Sequence, residues 1–299
     1  MTYAVALLRF TEILKLVFRD SLGYDFIDYL LRGRSRRLRN GLEFTHQSTL
    51  YHRLAHLYTK SSEFIVRQYL NRGDLSLPLK LLGLDGALFI DRHFCCMVKD
   101  TILCSPEVFS SELAYQVRQV FLKRVYGSPT NSLVIDIGAW VGDSSTYFAK
   151  LGNYVIAVEP LKEHVNYIYL NARLNNVIER VKVVNAAYPF TSSRRSHLEF
   201  RGPATIVPGG SGNINYVRLS DIINIKDRVY LKVDCEGCEY DLVNELIPRW
   251  VDVVHGIAME IHKEFGDYSK LLNMLSKYYS LKYIAGDDYC MVVQLFRKI

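Results

Sequence analysis

From residue 131 onward, short runs of apolar, largely β-branched residues alternate with stretches whose apolar residues recur every three or four positions. The runs predict strands over 133–137, 154–159, 181–186, 229–234 and 253–261. The periodic stretches predict helices over 142–151, 161–175, 238–246 and 267–279. Strands that are apolar on both faces are buried on both, which means a parallel sheet covered by helices. The last two runs, 281–285 and 290–297, flank Gly286-Asp287-Asp288 and predict a closing antiparallel hairpin. The expected fold class is therefore α/β, a mostly parallel seven-stranded sheet with a C-terminal hairpin.

Upstream the pattern changes. Arg9, Glu12, Lys15 and Arg19 mark the polar face of an amphipathic helix over 3–20, and further helices are predicted over 25–31 and 47–71. Short strands follow at 77–82, 87–91, 94–98 and 101–104, read as two hairpins. Ser105-Pro106 then opens a helix to about residue 126 before the break at Gly127-Ser128-Pro129. The predicted organisation is a helical extension over 1–76, a hairpin-and-helix lead-in over 77–130, and the main domain over 131–299. A polar stretch at 191–215, beside a short strand near 197–200, predicts a mobile loop.

Charge sharpens this division. The chain holds 37 Lys plus Arg against 31 Asp plus Glu, net +6. Residues 1–60 carry +5, whereas the charges of 131–299 cancel. That distribution excludes a wholly basic nucleic-acid binder. The excess centres on Arg32, Arg34, Arg36, Arg37 and Arg39, which suit an acidic carrier or an anionic membrane surface; a solvated helix end is the plainer alternative. No run of about 18 apolar residues predicts a membrane span, and no cleavage site follows the N-terminal apolar residues. The expectation is a cytoplasmic chain, with membrane contact at most peripheral. Six cysteines, Cys95, Cys96, Cys104, Cys235, Cys238 and Cys290, then read as thiols in a reducing compartment.

The central chemical signal is Asp136-Ile-Gly138-Ala139-Trp140-Val-Gly142-Asp143-Ser144, where a buried strand enters a glycine turn and then a helix. Such a turn brings a ligand against bare backbone. Glu159 ends the next strand, where a carboxylate can accept ribose hydroxyls. The dinucleotide fingerprint requires a glycine where Trp140 stands, and the phosphate-cradling G-x-x-x-x-G-K pattern is absent. The looser Gly138-x-x-x-Gly142 suits S-adenosylmethionine, which has no phosphate to cradle. A purely structural turn is the alternative.

These residues resemble the FkbM family of S-adenosylmethionine-dependent methyltransferases. The first motif is similar to Asp136 through Asp143, and the second to Ala157-Val-Glu159-Pro160. Asn185 and Ala186 are similar to the segment that closes over the adenine. The stretch Lys232-Val-Asp234-Cys-Glu236-Gly237-Cys-Glu239 resembles the K-x-D-x-E-G-x-E signature, and Met259-Glu260-Ile-His262 the fifth-strand ending. The resemblance covers about 131–299 and implies the class I methyltransferase fold, Rossmann-like in its strand order. It further implies O-methylation of a sugar, glycan or small metabolite. Trp140 departs from the asparagine common in the family.

Read bottom-up, Asp234 and Glu236 lie just past the fourth strand, and Glu260 and His262 at the end of the fifth. Ligands bind beyond the carboxyl ends of such strands. A hydroxyl acceptor needs its proton removed, so Asp234 or His262 is the expected base. The carboxylates could instead hold a divalent metal, which is not the expected arrangement. Glu239 is balanced between capping the next helix and a role in the site. No second cysteine pair stands at zinc spacing, and the family resemblance implies that Cys235 and Cys238 are small fillers around a tight turn. Nucleic-acid methylation is the enzymatic alternative, but neither N-P-P-Y nor a Pro-Cys nucleophile is present. A non-catalytic cofactor-binding scaffold is the alternative from another class, and it has no need of Asp234, Glu236, Glu260 and His262 together.

Overall fold

The computed structural model describes residues 83–90, 93–189, 198–200, 206–208 and 214–298. The helices expected over 3–20, 25–31 and 47–71, the arginine run, the strand at 77–82 and most of the loop at 191–215 lie outside them. The chain divides into two compact units, Met1–Arg118 and Gln119–Ile299.

In the first unit, strands β1 (Gly86–Ile90), β2 (His93–Val98) and β3 (Thr101–Pro106) form one antiparallel meander. The run at 87–91 thus pairs with β2, with Ile90 opposite His93, rather than standing in a hairpin apart from it. Pro106 ends β3, an edge strand that tolerates its missing N–H, and is also the N-cap of the 3-10 turn Glu107–Phe109 that opens the expected helical stretch. Helix α1 (Ser110–Val117) follows a 3-10 turn and buries Leu113, Ala114 and Val117. A disulfide joins Cys95 to Cys104, register partners on β2 and β3. A second joins Cys235 to Cys238 in the other unit. The expectation of thiols throughout is corrected for these four residues. Strand pairing brings the first two together and a tight turn the second two, and neither arrangement can be read from cysteine spacing alone.

The second unit is built on β4 (Leu133–Ile137), β5 (Tyr154–Val158) and β6 (Val181–Val184), followed by β7 (Leu198–Phe200) and β8 (Ile206–Pro208), a small antiparallel pair. Then come β9 (Val229–Val233), β10 (Val254–His262), β11 (Tyr279–Gly286) and β12 (Cys290–Arg297). The seven-stranded sheet has the order β11-β12-β10-β9-β4-β5-β6. β4, β5, β6, β9 and β10 run parallel, and β12 and β11 are antiparallel. Between strands stand α2 (Asp143–Lys150), α3 (Lys162–Leu174), the short α4 (Leu219–Ile222), α5 (Glu239–Arg249) and α6 (Tyr268–Ser276). Among the described elements of this unit, α4 and β8 were not expected from the sequence; four and three residues are too few to show a period, and β8 falls in the stretch 191–215 expected to be a loop.

The core follows from the strand composition. Ile135, Leu231, Val233, Ile257 and Met259 are fully buried and pack with Leu242 and Leu246 of α5. Burying each such side chain contributes about 1.5–3 kcal/mol. The chain runs from β4 outward to β5 and β6, then returns to lay β9 on β4's other side. The switch in direction therefore falls between β4 and β9, and ligands in open α/β sheets bind in the crevice at that point.

Candidate active site

Two groups of side chains meet at this switch. The first is the turn after β4. Gly138 has φ +76°, and a Cβ there would lie 1.7 Å from the carbonyl oxygen of Asp234, so only glycine allows the two strand ends to touch. The N–H groups of Gly138 and Ala139 donate to the Val158 carbonyl, 3.0 and 3.1 Å away, tying the turn to the end of β5. Gly142 begins α2 as its N-cap.

Beneath the turn lies a buried ionic network. Asp136 is wholly buried, and its Oδ2 accepts the hydroxyls of Ser144 (2.7 Å) and Ser145 (2.6 Å). Its Oδ1 lies 3.1 Å from Lys232 Nζ, which also donates to the Gly138 carbonyl at 2.7 Å. Burial alone would lower the Lys232 ammonium's pKa, but Asp136, Asp234 and Asp143 outweigh it and raise it. Asp143 is pushed up to about 7, chiefly by burial, with Lys232 pulling the other way. Of the residues expected to bind cofactor, Asp136 and Ser144 are thus turned inward, supporting the turn from below.

Glu159 is buried at the end of β5, where its two oxygens receive three N–H groups. Trp140 N donates to Oε2 at 3.0 Å and Leu161 N to Oε1 at 2.9 Å, while His164 Nδ1 lies 3.3 Å from Oε1. A carboxylate offers about four acceptor positions, so one remains for a ligand hydroxyl. Asn185 donates to the carbonyls of Glu159 and Pro160, both 2.9 Å away, and Ala186 is buried beside it. The bare Gly138 backbone, the pinned Glu159 and the absence of a phosphate cradle fit S-adenosylmethionine. Gly138, Ala139, Gly142, Glu159 and Asn185 are the residues that would hold it.

The second group stands at the ends of β9 and β10. The Tyr126 hydroxyl lies 2.9 Å from Asp234 Oδ2 and 3.1 Å from Glu260 Oε2, and its single proton can go to only one of them at a time. His262 Nε2 lies 3.4 Å from Glu236 Oε2 and 3.9 Å from Asp234 Oδ1. Glu239, fully buried at the first turn of α5, accepts the backbone N–H groups of Gly237 and His262, each at 2.8 Å. Its Oε1 also sits 3.2 Å from His262 Nδ1. Glu239 therefore positions the imidazole. Burial would depress His262, but the hydrogen bond to Glu239 and the charges of Asp234 and Glu236 push it up to about 10. Glu236 is pushed up to about 7 by burial, against the pull of His262. Glu260 is raised by burial and by Asp234, and Cys290 donates its thiol to it.

All four residues expected at the reacting end thus come together. Asp234, Glu260 and His262 also offer ligand atoms within 4.8 Å of one another, a set of hard and borderline donors that a divalent cation could use. Two residues were not foreseen. Lys232 appeared only as a letter of a signature. Tyr126 sits 108 and 134 residues from its two partners, in a stretch read as the end of a helix. The aromatic residue just before the Gly127-Ser128-Pro129 break was the only local mark it carried.

A mostly parallel sheet of this order, with a glycine turn at the switch and a terminal antiparallel hairpin, is the class I methyltransferase fold. Residues 136–281 match the methyltransferase FkbM domain. The protein is an S-adenosylmethionine-dependent methyltransferase. Among solved structures, it resembles the ribosomal protein L11 methylase from Lactobacillus delbrueckii subsp. bulgaricus at 16% identity and a TM-score of 0.39, covering 62% of this chain and 78% of that one. It also resembles precorrin-6y C5,15-methyltransferase from Geobacter metallireducens GS-15 at 14% identity and a TM-score of 0.38, covering 61% and 89%. A third is TrmK from M. capricolum, solved with S-adenosyl-homocysteine, at 10% identity, 62% and 68% coverage and a TM-score of 0.38. No curated protein matches the chain. Among the described residues, no helix is long and apolar enough to cross a membrane.

Proposed function

We propose that the protein methylates a hydroxyl group of a sugar, glycan or other small metabolite. When bound, S-adenosylmethionine supplies an electrophilic methyl group on a sulfonium. The chain's own residues must then orient a hydroxyl and take its proton. The observation that carries the reading is the convergence of Asp234, Glu260 and His262, with the Tyr126 hydroxyl between the first two, beside the Gly138 turn.

In this reading Asp234, partly exposed and within reach of the crevice, accepts the acceptor's proton. His262 is already protonated near neutral pH and serves as the cation that pulls Glu236 downward against its burial. The Tyr126 hydroxyl bridges Asp234 and Glu260, sharing its one proton between them. Glu239 fixes His262 from behind. The arginine run, outside the described residues, would dock the enzyme on an acidic carrier or membrane surface. Replacing the five arginines by serine should abolish co-sedimentation with anionic vesicles if it does.

The test is Asp234→Asn. Given methyl-labelled cofactor and a pool of glycans and small metabolites, the variant should label nothing that the wild type labels. It should bind S-adenosylhomocysteine with unchanged affinity in calorimetry. Undiminished labelling would remove Asp234 from the reaction, and labelling of nucleic acid alone would overturn the acceptor class.

A further inference from the structure

The disulfide between Cys235 and Cys238 encloses the two residues that follow Asp234 at the reacting end. We propose that this pair is a reversible redox modification site, taking a small dithiol reductant, and that its state controls how firmly the acidic side of the active site is held. The redox chemistry stands apart from the acceptor assignment; only its consequence for methyl transfer rests on that reading.

Four observations support it. First, the ring holds Glu236 and Gly237 in consecutive left-handed conformations, φ +54° and +110°. A residue with a side chain leaves that region when it can, so the crosslink restrains Glu236 where its carboxylate faces His262. A Cβ on Gly237 would lie 2.9 Å from the Phe265 ring, so the turn has little room to adjust otherwise.

Second, Cys235 Sγ lies 3.6 Å from Glu239 Oε2, the oxygen that accepts the Gly237 N–H. A disulfide sulfur has no proton to give. The thiol formed on reduction does, and it competes with Gly237 for that oxygen. Reduction thereby reaches the carboxylate that positions His262.

Third, the two sulfurs differ in access. Cys238 is 2% exposed and Cys235 is only half-buried, so an incoming thiolate meets Cys235. Cys238 is the N-cap of α5, where the helix dipole favours a leaving thiolate. Fourth, the other disulfide has both sulfurs in the interior, Cys95 at 7% and Cys104 at 3%, and offers no comparable entry.

The reaction balances as thiol–disulfide exchange. The reductant's thiolate attacks Cys235 Sγ, the Sγ–Sγ bond breaks, and Cys238 departs as thiolate and takes a proton from water. The reductant's second thiol then displaces Cys235 from the mixed disulfide. Two protein thiols and the reductant's disulfide result, with two electrons passing to the protein.

The experiment uses the full chain, as purified and after dithiothreitol, with differential alkylation and peptide mapping. Amide hydrogen exchange is followed at Gly237 and His262. Dithiothreitol should open the 235–238 bond at concentrations that leave 95–104 intact. Exchange at the Gly237 and His262 amides should accelerate by roughly fivefold or more, the fold-change expected when a restrained left-handed residue is released, while β9 stays protected. The Cys235→Ser/Cys238→Ser protein should show the reduced pattern without reductant; if it fails to fold, the wild-type comparison decides alone. Thiols already alkylatable as purified, a bond that resists dithiothreitol in the folded protein, or unchanged exchange would each overturn the proposal. None of these readouts uses an acceptor, so failure of the methyl-transfer reading in Asp234→Asn leaves them interpretable.

Discussion

Lys232→Met removes the one ammonium in the buried network beneath the glycine turn. The Lys232 side chain is 3% exposed and Asp136 is fully buried, with Nζ 3.1 Å from Asp136 and 4.0 Å from Asp234. Leaving one partner of such a pair buried alone costs about 3–5 kcal/mol. Asp136 keeps the hydroxyls of Ser144 and Ser145, each charge-assisted bond being worth about 1.5–3 kcal/mol, so the lower end applies. The expected loss is therefore about 3 kcal/mol, a large share of the roughly 5–15 kcal/mol by which a domain is stable. With a urea slope of about 3 kcal/mol/M, the unfolding midpoint should fall by about 1 M.

The loss should also depend on pH. Burial holds the folded Asp143 at about 7, above its unfolded value, so the stability that Asp143 costs grows as pH rises through that range. Lys232 works against that rise, and without it the penalty deepens and extends upward. The variant should accordingly be closer to wild type at pH 5 than at pH 8. Adding Asp136→Asn to Lys232→Met should recover about 2 kcal/mol relative to the sum of the single changes. Strict additivity, or a difference that does not vary with pH, would show that Lys232 contributes packing alone.

Tyr126→Phe deletes the hydroxyl shared by Asp234 and Glu260 and should lower methyl transfer about tenfold or more, as loss of a positioning hydrogen bond does, with S-adenosylhomocysteine affinity unchanged. The two carboxylates, no longer separated by a donor, should become harder to ionise together, so the acidic limb of the pH–rate profile should move upward; an unmoved limb would count against the bridge. Glu239→Gln withdraws the anion beside His262 and should bring the imidazole down from about 10 toward the ordinary histidine range, read by NMR titration. The stability that His262 adds is complete below its unfolded value and lost as pH rises through about 10, so in Glu239→Gln that loss should be smaller and complete at lower pH.

Much of the sheet was legible because its information is local. The strand at 133–137 and the hairpin strand at 290–297 were read to the residue, since each is an uninterrupted apolar or alternating run bounded by turn residues. Glu159, Asp234, Glu260 and His262 were legible because they stand at strand ends, which the parallel order carries to one edge. The inward turn of Asp136 and Ser144 was not, because a helix N-terminus and a buried ion pair look alike in one dimension. Tyr126 and the two disulfides depend on which distant or tightly turned segments meet in space. No periodicity records that.

The charges of the site point in one direction when taken together. Asp234, Glu236, Glu239 and Glu260 face a single imidazolium from the β10 side, and Lys232 answers Asp136 and Asp234 from below. Carboxylates therefore outnumber cations, and burial raises Glu236 and Glu260 in particular. Glu236, at about 7, is partly protonated near neutral pH. In the proposed reaction a proton taken up at Asp234 need not leave at once for water; Tyr126 connects Asp234 to Glu260, and His262 lies between Asp234 and Glu236. The acid that receives the proton and the acids that can store it are thus held by the same tyrosine and histidine. Glu236, the store with a value near 7, lies inside the Cys235–Cys238 ring, so the redox state of that ring bears on a carboxylate of the reacting end whose ionisation changes over the physiological range.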